Sequence, residues 1–389
     1  MRKINILFLL LMLAGMTVNA TNYYVKVTAT GSGNGASWDD AMSGETFISK
    51  LASDIVAGDV IYMAGGTYKS QAGTTSHVVT IDKAITIIGG FASDITGSTT
   101  DITYPSSTPT VFSGDLNNDG VASSGDNPVM YINSSSGEII LKGITVTKGY
   151  STTADRPGVH INSGTVNLYY CTIDGNVTTT TSSSNAGGAG IYSNGATVYA
   201  CRSVISNNSA ANRGGGVRLA GSSVFTLESC LVTGNSISGD YGGAIQGSGS
   251  SPKIYCINTT IAYNTGNHGA GINAAGEVYL ISTTIANNTS SSDESQGQDI
   301  RYESDKMYVI NSIITGNNEG APHIYLNGNN RKIISGGNNI FGNTGKSTEA
   351  SVFDTQESDV TFYYSDIFDG NTLADNEGYP QTIALRDEE

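Results

Sequence analysis

The stretch YGGAIQGSGSSPKIYCINTTIAYN, residues 241–264, decides the fold of this chain. It opens on a glycine cluster that ends at the aliphatic Ile245, and it closes on Ile261 followed three residues later by Asn264. Glycine supplies positive φ angles and close backbone approach at turns, and aliphatic residues at alternate positions mark inward-facing strand positions. The stretch therefore predicts short strands separated by tight turns.

Both elements recur along the chain, and such recurrence is typical of a repeat architecture. Successive asparagines of the second element are 24 to 32 residues apart, as expected for coils whose loops vary in length. The aliphatic and asparagine pairs are Ile173/Asn176, Ile205/Asn208, Val232/Asn235, Ile261/Asn264, Ile285/Asn288, Ile314/Asn317 and Ile340/Asn343. The glycine clusters lie at 187–191, 214–217, 242–245 and 269–272. The corresponding segments at 298–300 and 322–324 keep the aliphatic residue but have lost the glycines.

Alignment of the coils on these aliphatic residues produces columns of similar residues. Seven residues upstream lie Val166, Val198, Phe225, Ile254, Val278, Met307 and Ile333. Two residues upstream lie Cys171, Ser203, Cys230, Thr259, Thr283, Ser312 and Asn338. Columns at fixed offsets indicate that successive repeats stack in register and together bury side chains that a single repeat could not bury. The pattern predicts an all-β fold, a parallel β-solenoid.

The N-terminal part fits the same architecture. Its opening coils are predicted at 59–63, 84–88 and 138–144. Before them, one helical face carries Phe47, Ile48, Leu51 and Ile55. A helix here would cover the open end of the solenoid, where unpaired strand edges invite aggregation. The predicted organisation is an N-terminal strand and capping helix over residues 21–58, followed by the solenoid over 59–389.

Several segments also resemble a known family. Segments 23–25, 31–38 and 57–68 are similar to the start of secreted proteins of the pectin-lyase-like superfamily, which implies a right-handed parallel β-helix. The alternating clusters and pairs resemble the polymorphic outer-membrane protein repeat, although Ile or Val replaces the Phe of that family. Segment 373–385 looks like one that leads into a further coil, which implies either a truncated C-terminal end or a natural variant. These resemblances imply fold and export, whereas chemistry is left open.

The first twenty residues are typical of a secretory leader. Arg2 and Lys3 precede an apolar run, and small residues end it at Ala20. The run is too short to span a bilayer, so no transmembrane segment is expected after its removal. Without the two basic residues of the leader, the formal charge of −15 becomes −17. Such an acidic chain is not expected to bind nucleic acid, and it suits divalent cations and neutral or cationic partners.

Four cysteines in an exported chain raise the question of disulfides. Cys171 and Cys230 share a column but lie two coils apart, roughly 9 to 10 Å at the strand spacing, whereas a disulfide needs Cα atoms within about 7 Å. Cys201 and Cys256 fall in other columns. We therefore expect buried, reduced thiols.

The segment SGDLNNDGVASSGD, residues 113–126, has the ligand order of a calcium loop. Gly120 occupies the sixth position, and the ligand positions carry Asp115, Asn117, Asp119, the Val121 carbonyl, Ser123 and Asp126. Aspartate in the twelfth position, instead of the longer glutamate, predicts weakened binding. The flanks 109–112 and 129–132 look like strands, so this is not a helix-flanked site. The alternative is a polar loop extruded from a coil.

Two outward columns are candidate ligand-binding surfaces. The first is a stripe of Tyr199, Tyr255, Tyr279 and Tyr308, interrupted by Thr226. The second is a stripe of Tyr192, Arg218, Gln246, Asn273, Arg301 and Tyr325. Rings in adjacent strands stabilise one another, which is the structural interpretation. The functional interpretation is a flat aromatic and amide face for sugar rings.

The sequence shows no discernible active site. The hydrolases of this fold pair carboxylates, but the adjacent Asp39 and Asp40 precede the coils, and Asn267-His268-Gly269 only partly echoes their motif. His160, His268 and His323 are expected in turns or at the surface. The favoured function is an exported binding or adhesion module for glycans or a cell-surface protein. A polysaccharide lyase or glycoside hydrolase and a structural stalk remain the alternatives.

Overall fold

The computed structural model describes residues 20–70, 77–153, 156–181, 187–290, 296–316, 320–346, 348, 350–362, 367–374 and 379–385. Parallel strands stack coil upon coil in three sheets, and their inward aliphatic side chains form one continuous core. The predicted parallel β-helix is confirmed. The predicted secretory leader lies outside the described residues except for Ala20. Among the described residues, no helix is long and apolar enough to cross a membrane.

The first sheet contains two strands from most coils. Its strands are Asn22–Lys26, Met42–Ser43, Val60–Ala64, Val79–Ile81, Thr86–Phe91, Met130–Lys142, Val159–Tyr169, Ile191–Asn194, Thr197–Cys201, Val217–Ala220, Val224–Glu228, Ile245–Gly247, Lys253–Ile257, Ile272–Ala274, Glu277–Ile281, Ile300–Tyr302, Lys306–Ile310, Ile324–Leu326, Lys332–Ser335, Thr344–Lys346 and Val352–Asp354.

The other sheets complete each coil. The second sheet contains Gly66–Tyr68, Thr110–Ser113, Ile144–Thr147, Thr172–Asp174, Val204–Ser206, Leu231–Thr233, Thr260–Ala262, Thr284–Ala286, Ile313–Thr315, Ile340–Phe341 and Val360–Thr361. The third contains Tyr150–Ser151, Val177–Thr178, Ser209–Ala210, Ser236–Ile237, Thr265–Gly266 and Thr289–Ser290. Strands Phe368–Ala374 and Thr382–Leu385 form a separate antiparallel pair.

Register along the second sheet follows the predicted columns except in the last aligned coil. Ile173, Ile205, Val232, Ile261, Ile285 and Ile314 align in successive coils. The next residue in this column is Phe341, whereas the predicted Ile340 pairs with Ile313. Ile333 still aligns with Met307 as predicted, so one extra residue lies between the two strands of this coil. The column position two residues upstream is accordingly filled by Asn339 and not by Asn338.

The repeated asparagine forms a buried ladder along the solenoid. Each amide donates to the side-chain oxygen of the asparagine in the next coil, and that oxygen also accepts the backbone N–H of the donor residue. The Nδ2 to Oδ1 distance is 3.0 Å from Asn235 to Asn264 and 2.8 Å from Asn264 to Asn288. The ladder runs through Asn176, Asn208, Asn235, Asn264 and Asn288. Asn317 of the predicted series lies outside the described residues.

Asp299 ends the ladder. Its Oδ1 accepts from Asn288 Nδ2 at 2.7 Å, and its Oδ2 lies 2.9 Å from Nδ1 of His323. Both residues are buried, so of the two places expected for His323, a turn or the surface, the structure gives the turn that precedes strand Ile324–Leu326. Burial raises the pKa of the Asp299 carboxyl above its ordinary value.

The four cysteines are free thiols, as predicted. Cys171, Cys230 and Cys256 are buried, whereas Cys201 is half-buried because its side chain points outward from its strand. Burial raises the pKa of the Cys171 and Cys230 thiols to about 12 and that of Cys256 further still. The expectation of full burial is therefore wrong for Cys201 alone.

The predicted N-terminal helix spans Gly44–Leu51. Ser43 caps it by accepting the Thr46 N–H at 3.1 Å, and Phe47 and Leu51 enter the core. The helix ends before Ile55, which is buried nevertheless. The ammonium of Lys83 binds the Leu51 carbonyl at 2.8 Å, where a cation suits the helix C-terminus. The helix packs on the first coil and contributes to its apolar core.

The C-terminal segment does not add a coil. Its antiparallel strands pack against the second sheet, where Phe368 and Ile383 contact a cluster that includes Ala262 and Ala286. The described part of segment 373–385 thus lies along the side of the solenoid.

Candidate functional site

The first tyrosine stripe is a stack of rings on the outer side of the first sheet. The rings of Tyr255 and Tyr279 are 4.7 Å apart and 9° from parallel, and those of Tyr279 and Tyr308 are 4.9 Å apart and 5° from parallel. Neighbouring coils hold them in register, since the three residues pair directly along the sheet. Ring faces inside the stack cover one another. The rings therefore offer edges and hydroxyls to a ligand, and the predicted flat aromatic face is wrong for this stack.

Tyr199 is separate from the stack. It pairs with Thr226, which in turn pairs with Tyr255, so a small side chain interrupts the column. The Tyr199 hydroxyl donates to Oε2 of Glu228 at 2.6 Å, and its ring meets Tyr169 edge to face. Tyr199 thus belongs to a local contact pair and does not extend the three-ring stack.

A groove of about 410 Å³ runs beside the stack. Tyr279 and Tyr308 line it together with polar groups from the adjoining turns. The complete lining is Ser251, Gly276, Glu277, Tyr279, Ser304, Asp305, Lys306 and Tyr308. Hydroxyl, carboxylate and ammonium groups thus converge on one concave surface that two aromatic edges bound. Such a set can both donate to and accept from the hydroxyls of a sugar.

A hydrogen-bonded chain fixes one wall of this groove. The Tyr279 hydroxyl donates to Oε2 of Glu277 at 2.9 Å, and Nζ of Lys253 lies 3.1 Å from the same oxygen. The hydroxyl and then the ammonium hold the pKa of Glu277 below its ordinary value. The carboxylate in turn raises the pKa of Tyr279 to about 12. Glu277 is therefore an ionised acceptor at neutral pH, and Tyr279 is a neutral phenol.

Gly276 shapes the rim of the groove by allowing close backbone approach. A Cβ at this position would lie 2.0 Å from the carbonyl oxygen of Pro252 in the preceding coil. The next residue, Glu277, donates its backbone N–H to that same carbonyl at 2.9 Å. Any side chain at 276 would push the turn away and displace the Glu277 carboxylate.

The second predicted stripe is in register but is not an exposed surface. Its residues pair coil by coil from Tyr192 to Tyr325, as the columns predict. Tyr325 is half-buried, whereas five members are buried, namely Tyr192, Arg218, Gln246, Asn273 and Arg301. The expectation of a surface stripe is therefore wrong for these five residues, because side chains from the neighbouring turns pack over them.

A basic and aromatic cluster covers part of that stripe. The Arg156 guanidinium lies 4.2 Å from the ring centre of Tyr192, and Arg213 and Arg301 both approach the ring of Tyr241. Burial, together with the positive charges of Arg213 and Arg156, lowers the pKa of Arg218 to about 10. Several guanidinium groups thus share one region of a chain whose overall charge is strongly negative.

Histidines extend this cluster along the sheet. His160 meets the rings of Tyr131 and Tyr192 edge to face at 4.9 and 5.3 Å, and His77 lies beside Tyr131. His268 packs on Tyr241, and its Nδ1 lies 2.9 Å from the Asp240 carbonyl. These contacts give the histidines packing roles, and no pair of carboxylates accompanies them among the described contacts.

The adjacent aspartates near the N-terminus stabilise turns. Oδ1 of Asp40 accepts the Ser32 N–H at 2.7 Å, and Oδ2 of Asp39 accepts the Gly97 N–H at 3.1 Å. The backbone hydrogen bond from Ser32 lowers the pKa of Asp40. Both carboxylates thus act as acceptors for loop backbone, which fits a structural role.

The predicted calcium loop connects strand Thr110–Ser113 to strand Met130–Lys142, so its flanks are strands as expected. The structure brings together the carboxylates of its first, fifth and twelfth positions, Asp115, Asp119 and Asp126. The side chains of Asn117 and Ser123 contact Asp119, whereas Val121 is exposed at the tip of the loop.

A second groove, of about 660 Å³, lies between the second sheet and the C-terminal strands. Its lining includes the apolar side chains of Val204, Leu231 and Leu373. The lining also includes the polar side chains of Ser206, Asn207, Thr233 and Gln381, but among the described residues no charged group of the kind that lines the tyrosine groove.

The sequence columns missed the polar lining of the tyrosine groove and the covering arginines. Glu277, Asp305 and Lys306 lie in or beside turns of unequal length, where no fixed offset relates one coil to the next. Arg156 and Arg213 lie in loops for the same reason. In the sequence, the one feature that marked these groove and arginine residues was their position at or just before a strand that the repeat predicts.

Comparison with known proteins adds two distant likenesses in structure. The first is the crystal structure of pectate lyase Pel9A. The match covers 89% of this chain and 82% of the Pel9A chain, with 14% sequence identity and a TM-score of 0.49. The second is a rhamnogalacturonan lyase, and the match covers 90% of each chain, with 14% sequence identity and a TM-score of 0.40. No protein-family model and no curated protein matches the sequence. Likenesses at this level carry no conclusion about activity.

Proposed function

We propose that this chain is an exported binding module that holds an uncharged polysaccharide in the tyrosine groove. One observation carries the proposal: the 410 Å³ groove places the edges of stacked tyrosines beside hydroxyl, carboxylate and ammonium groups. Sugar hydroxyls are both donors and acceptors, so a mixed lining satisfies them better than a lining of one kind.

Charge favours an uncharged ligand at this groove. The chain has a formal charge of −15, and the two carboxylates that line the groove, Glu277 and Asp305, are already paired with Lys253 and Arg331. A uronate polymer would be repelled by such a surface at low ionic strength, whereas a neutral glycan would not. The leader-like residues 1–20 support export, which would bring the groove into contact with extracellular glycans.

The test is retention on a panel of insoluble polysaccharides, with residues 21–389 as the protein and product release followed in parallel. We expect retention on at least one neutral polysaccharide without fragments. Lys306→Ala should weaken retention about tenfold, since a charged hydrogen bond contributes about 1.5–3 kcal/mol. The matched control is Lys332→Ala, because Lys332 occupies the same strand position in the next coil and does not line the groove. Equal retention of both variants would contradict the proposal.

A second candidate function is supported by the basic and aromatic cluster. Guanidinium groups recognise carboxylates in a planar fork, and Arg213, a half-buried member of the cluster, is the one placed to meet an acidic polysaccharide. Release of unsaturated fragments from a uronate polymer, lost in Arg213→Gln, would make the chain a lyase and displace the binding module. A chain that neither retains nor cleaves any polysaccharide would be a structural stalk.

A further inference from the structure

We infer that the loop of residues 115–126 binds one calcium ion through Asp115, Asp119 and Asp126. This inference is independent of the tyrosine groove and would stand if the proposed glycan binding failed. It rests on three features of the loop: its convergent carboxylates, a buried carboxylate oxygen without a hydrogen-bond partner, and its ligand order.

The carboxylates converge without a regular element to hold them together. One oxygen from each of Asp115, Asp119 and Asp126 lies within 4.8 Å of the others. Oxygens that surround a calcium ion at 2.3–2.6 Å are separated by distances of this order. Three like charges at such separations repel one another, and a divalent cation between them would remove the repulsion.

Asp115 supplies the observation that points to a ligand. Its side chain is only 4% exposed, yet its Oδ1 has no hydrogen-bond partner among the described residues. A buried carboxylate oxygen without a partner is costly, so such an atom is rare unless a water or an ion completes it. The other two carboxylates already accept backbone hydrogen bonds, Asp119 from Val121 at 3.0 Å and Asp126 from Leu116 at 2.9 Å.

The remaining ligands follow from the order of the loop. Asn117 Nδ2 and Ser123 Oγ donate to Oδ2 of Asp119 at 2.9 and 2.7 Å, and Oδ1 of Asn117 accepts the Asp119 N–H at 2.9 Å, so the Asn117 amide would have to rotate to offer its oxygen to the ion. Gly120 has φ of +86°, which permits the sharp turn that the sixth position of such a loop requires. The Val121 carbonyl would complete the set from the seventh position.

Two lysines compete with the ion and set its affinity. Nζ of Lys148 lies 3.4 Å from Oδ2 of Asp115, and Nζ of Lys69 lies 3.9 Å from the same oxygen. Lys69 also binds the Asp115 carbonyl and the Asn118 side chain, so it belongs to the frame of the loop. Both ammonium groups face Oδ2 and leave Oδ1 for the ion. Their charge predicts weak binding, of the order of 10⁻⁴ to 10⁻³ M.

The ion would act as a structural clip. The base of the loop is closed by the Asn127 N–H, which donates to the Gly114 carbonyl at 3.1 Å. Asp115 and Asp126 lie just inside that base, and Asp119 lies near the tip. Calcium would therefore join the tip of the loop to its base and hold this long loop in one conformation.

The test is calorimetric titration of calcium chloride into the chelator-treated full chain, with urea unfolding in calcium and in chelator. We expect one bound equivalent and a higher unfolding midpoint in calcium. Both should disappear in Asp115→Asn/Asp119→Asn, while the exposed control Asp54→Asn should match the wild type. The absence of heat and of any midpoint shift in the wild type, or unchanged binding in the double variant, would overturn the site.

A second variant keeps the test valid if the double variant fails to fold. Lys148→Met removes a competing cation and no ligand, so calcium affinity should rise roughly tenfold. An unchanged or lower affinity would contradict the assignment of the ion to Asp115. Magnesium that binds as tightly as calcium would overturn the assignment to calcium, since its smaller octahedral shell does not suit this loop.

Discussion

At the residue scale, Asn235 shows how one amide satisfies several buried groups at once. Its Oδ1 accepts both the N–H and the Nδ2 of Asn208, and its Nδ2 donates to the Ile205 carbonyl at 2.9 Å. All of these atoms are buried, so no water can replace the amide. The repeat retains asparagine because few side chains offer a donor and an acceptor on one planar group.

Removal of this amide should be costly. We predict that Asn235→Ala lowers the free energy of unfolding by about 2–4 kcal/mol, because it leaves two buried donors of Asn208 without an acceptor. Urea unfolding followed by circular dichroism measures the change. The exposed Asn194→Ala is the control and should stay within about 0.5 kcal/mol. Equal effects of the two substitutions would show that the ladder contributes little.

Asp299 makes stability depend on pH. Its pKa is raised in the folded protein, so the folded state holds the proton more tightly, and this contribution is lost as the pH rises through the folded pKa. We predict that the Asp299→Asn protein becomes more stable relative to the wild type as the pH rises above 3.8, the ordinary pKa of an aspartate. The amide keeps the Oδ1 acceptor for Asn288.

The comparison is best made with His323→Gln in both proteins, so that only the carboxyl at position 299 titrates within this pair. Urea midpoints at a series of pH values give the difference in stability between the proteins with aspartate and with asparagine at position 299. A difference that stays constant with pH would contradict the raised pKa.

Thiol accessibility tests the burial of the cysteines. We predict that iodoacetamide labels Cys201 alone in the native protein, because the other thiols are buried and the raised pKa of Cys171 and Cys230, about 12, keeps them protonated. All four should label after denaturation without reductant. Intact mass spectrometry counts the labels, and two or more unlabelled cysteines in the denatured chain would indicate a disulfide.

At the element scale, the tyrosine stack joins three successive coils on their outer side. Tyr279 contacts both neighbours at below 5 Å, and each aromatic pair contributes about 0.5–1.5 kcal/mol beyond the area that it buries. We predict that Tyr279→Ala lowers the free energy of unfolding by about 1–3 kcal/mol and that Tyr279→Phe changes it by less than 1 kcal/mol. Urea midpoints test this, and equal losses would assign the effect to the hydroxyl.

The strands and their register could be predicted wherever inward aliphatic residues kept a fixed offset. The prediction failed by one position at Ile340, since a single extra residue shifts a strand and the neighbouring Phe341 is equally apolar. The second stripe was placed in the correct column, yet its burial could not be predicted. That burial depends on turns such as the one that carries Arg213, and turns of unequal length carry no periodic signal.

At the scale of the whole molecule, the solenoid presents separate surfaces that different parts of the chain serve. The first sheet carries the tyrosine groove and the basic cluster, whereas the C-terminal strands cover part of the second sheet. Function in such a fold depends on side chains and turns, because the stacked core is similar from coil to coil. The column of tyrosines could therefore be found from the sequence, but the groove beside it required the positions of Glu277 and Asp305.

The most direct test of this account is calorimetric titration of a neutral oligosaccharide, taken from the retained polysaccharide, into Tyr279→Phe and Tyr255→Phe. Both substitutions keep the stack, but only Tyr279 lines the groove. We predict that Tyr279→Phe weakens binding about fivefold, as expected for one lost hydrogen bond of about 1 kcal/mol, and that Tyr255→Phe binds like the wild type. Equal affinities for both variants would contradict a glycan site in this groove.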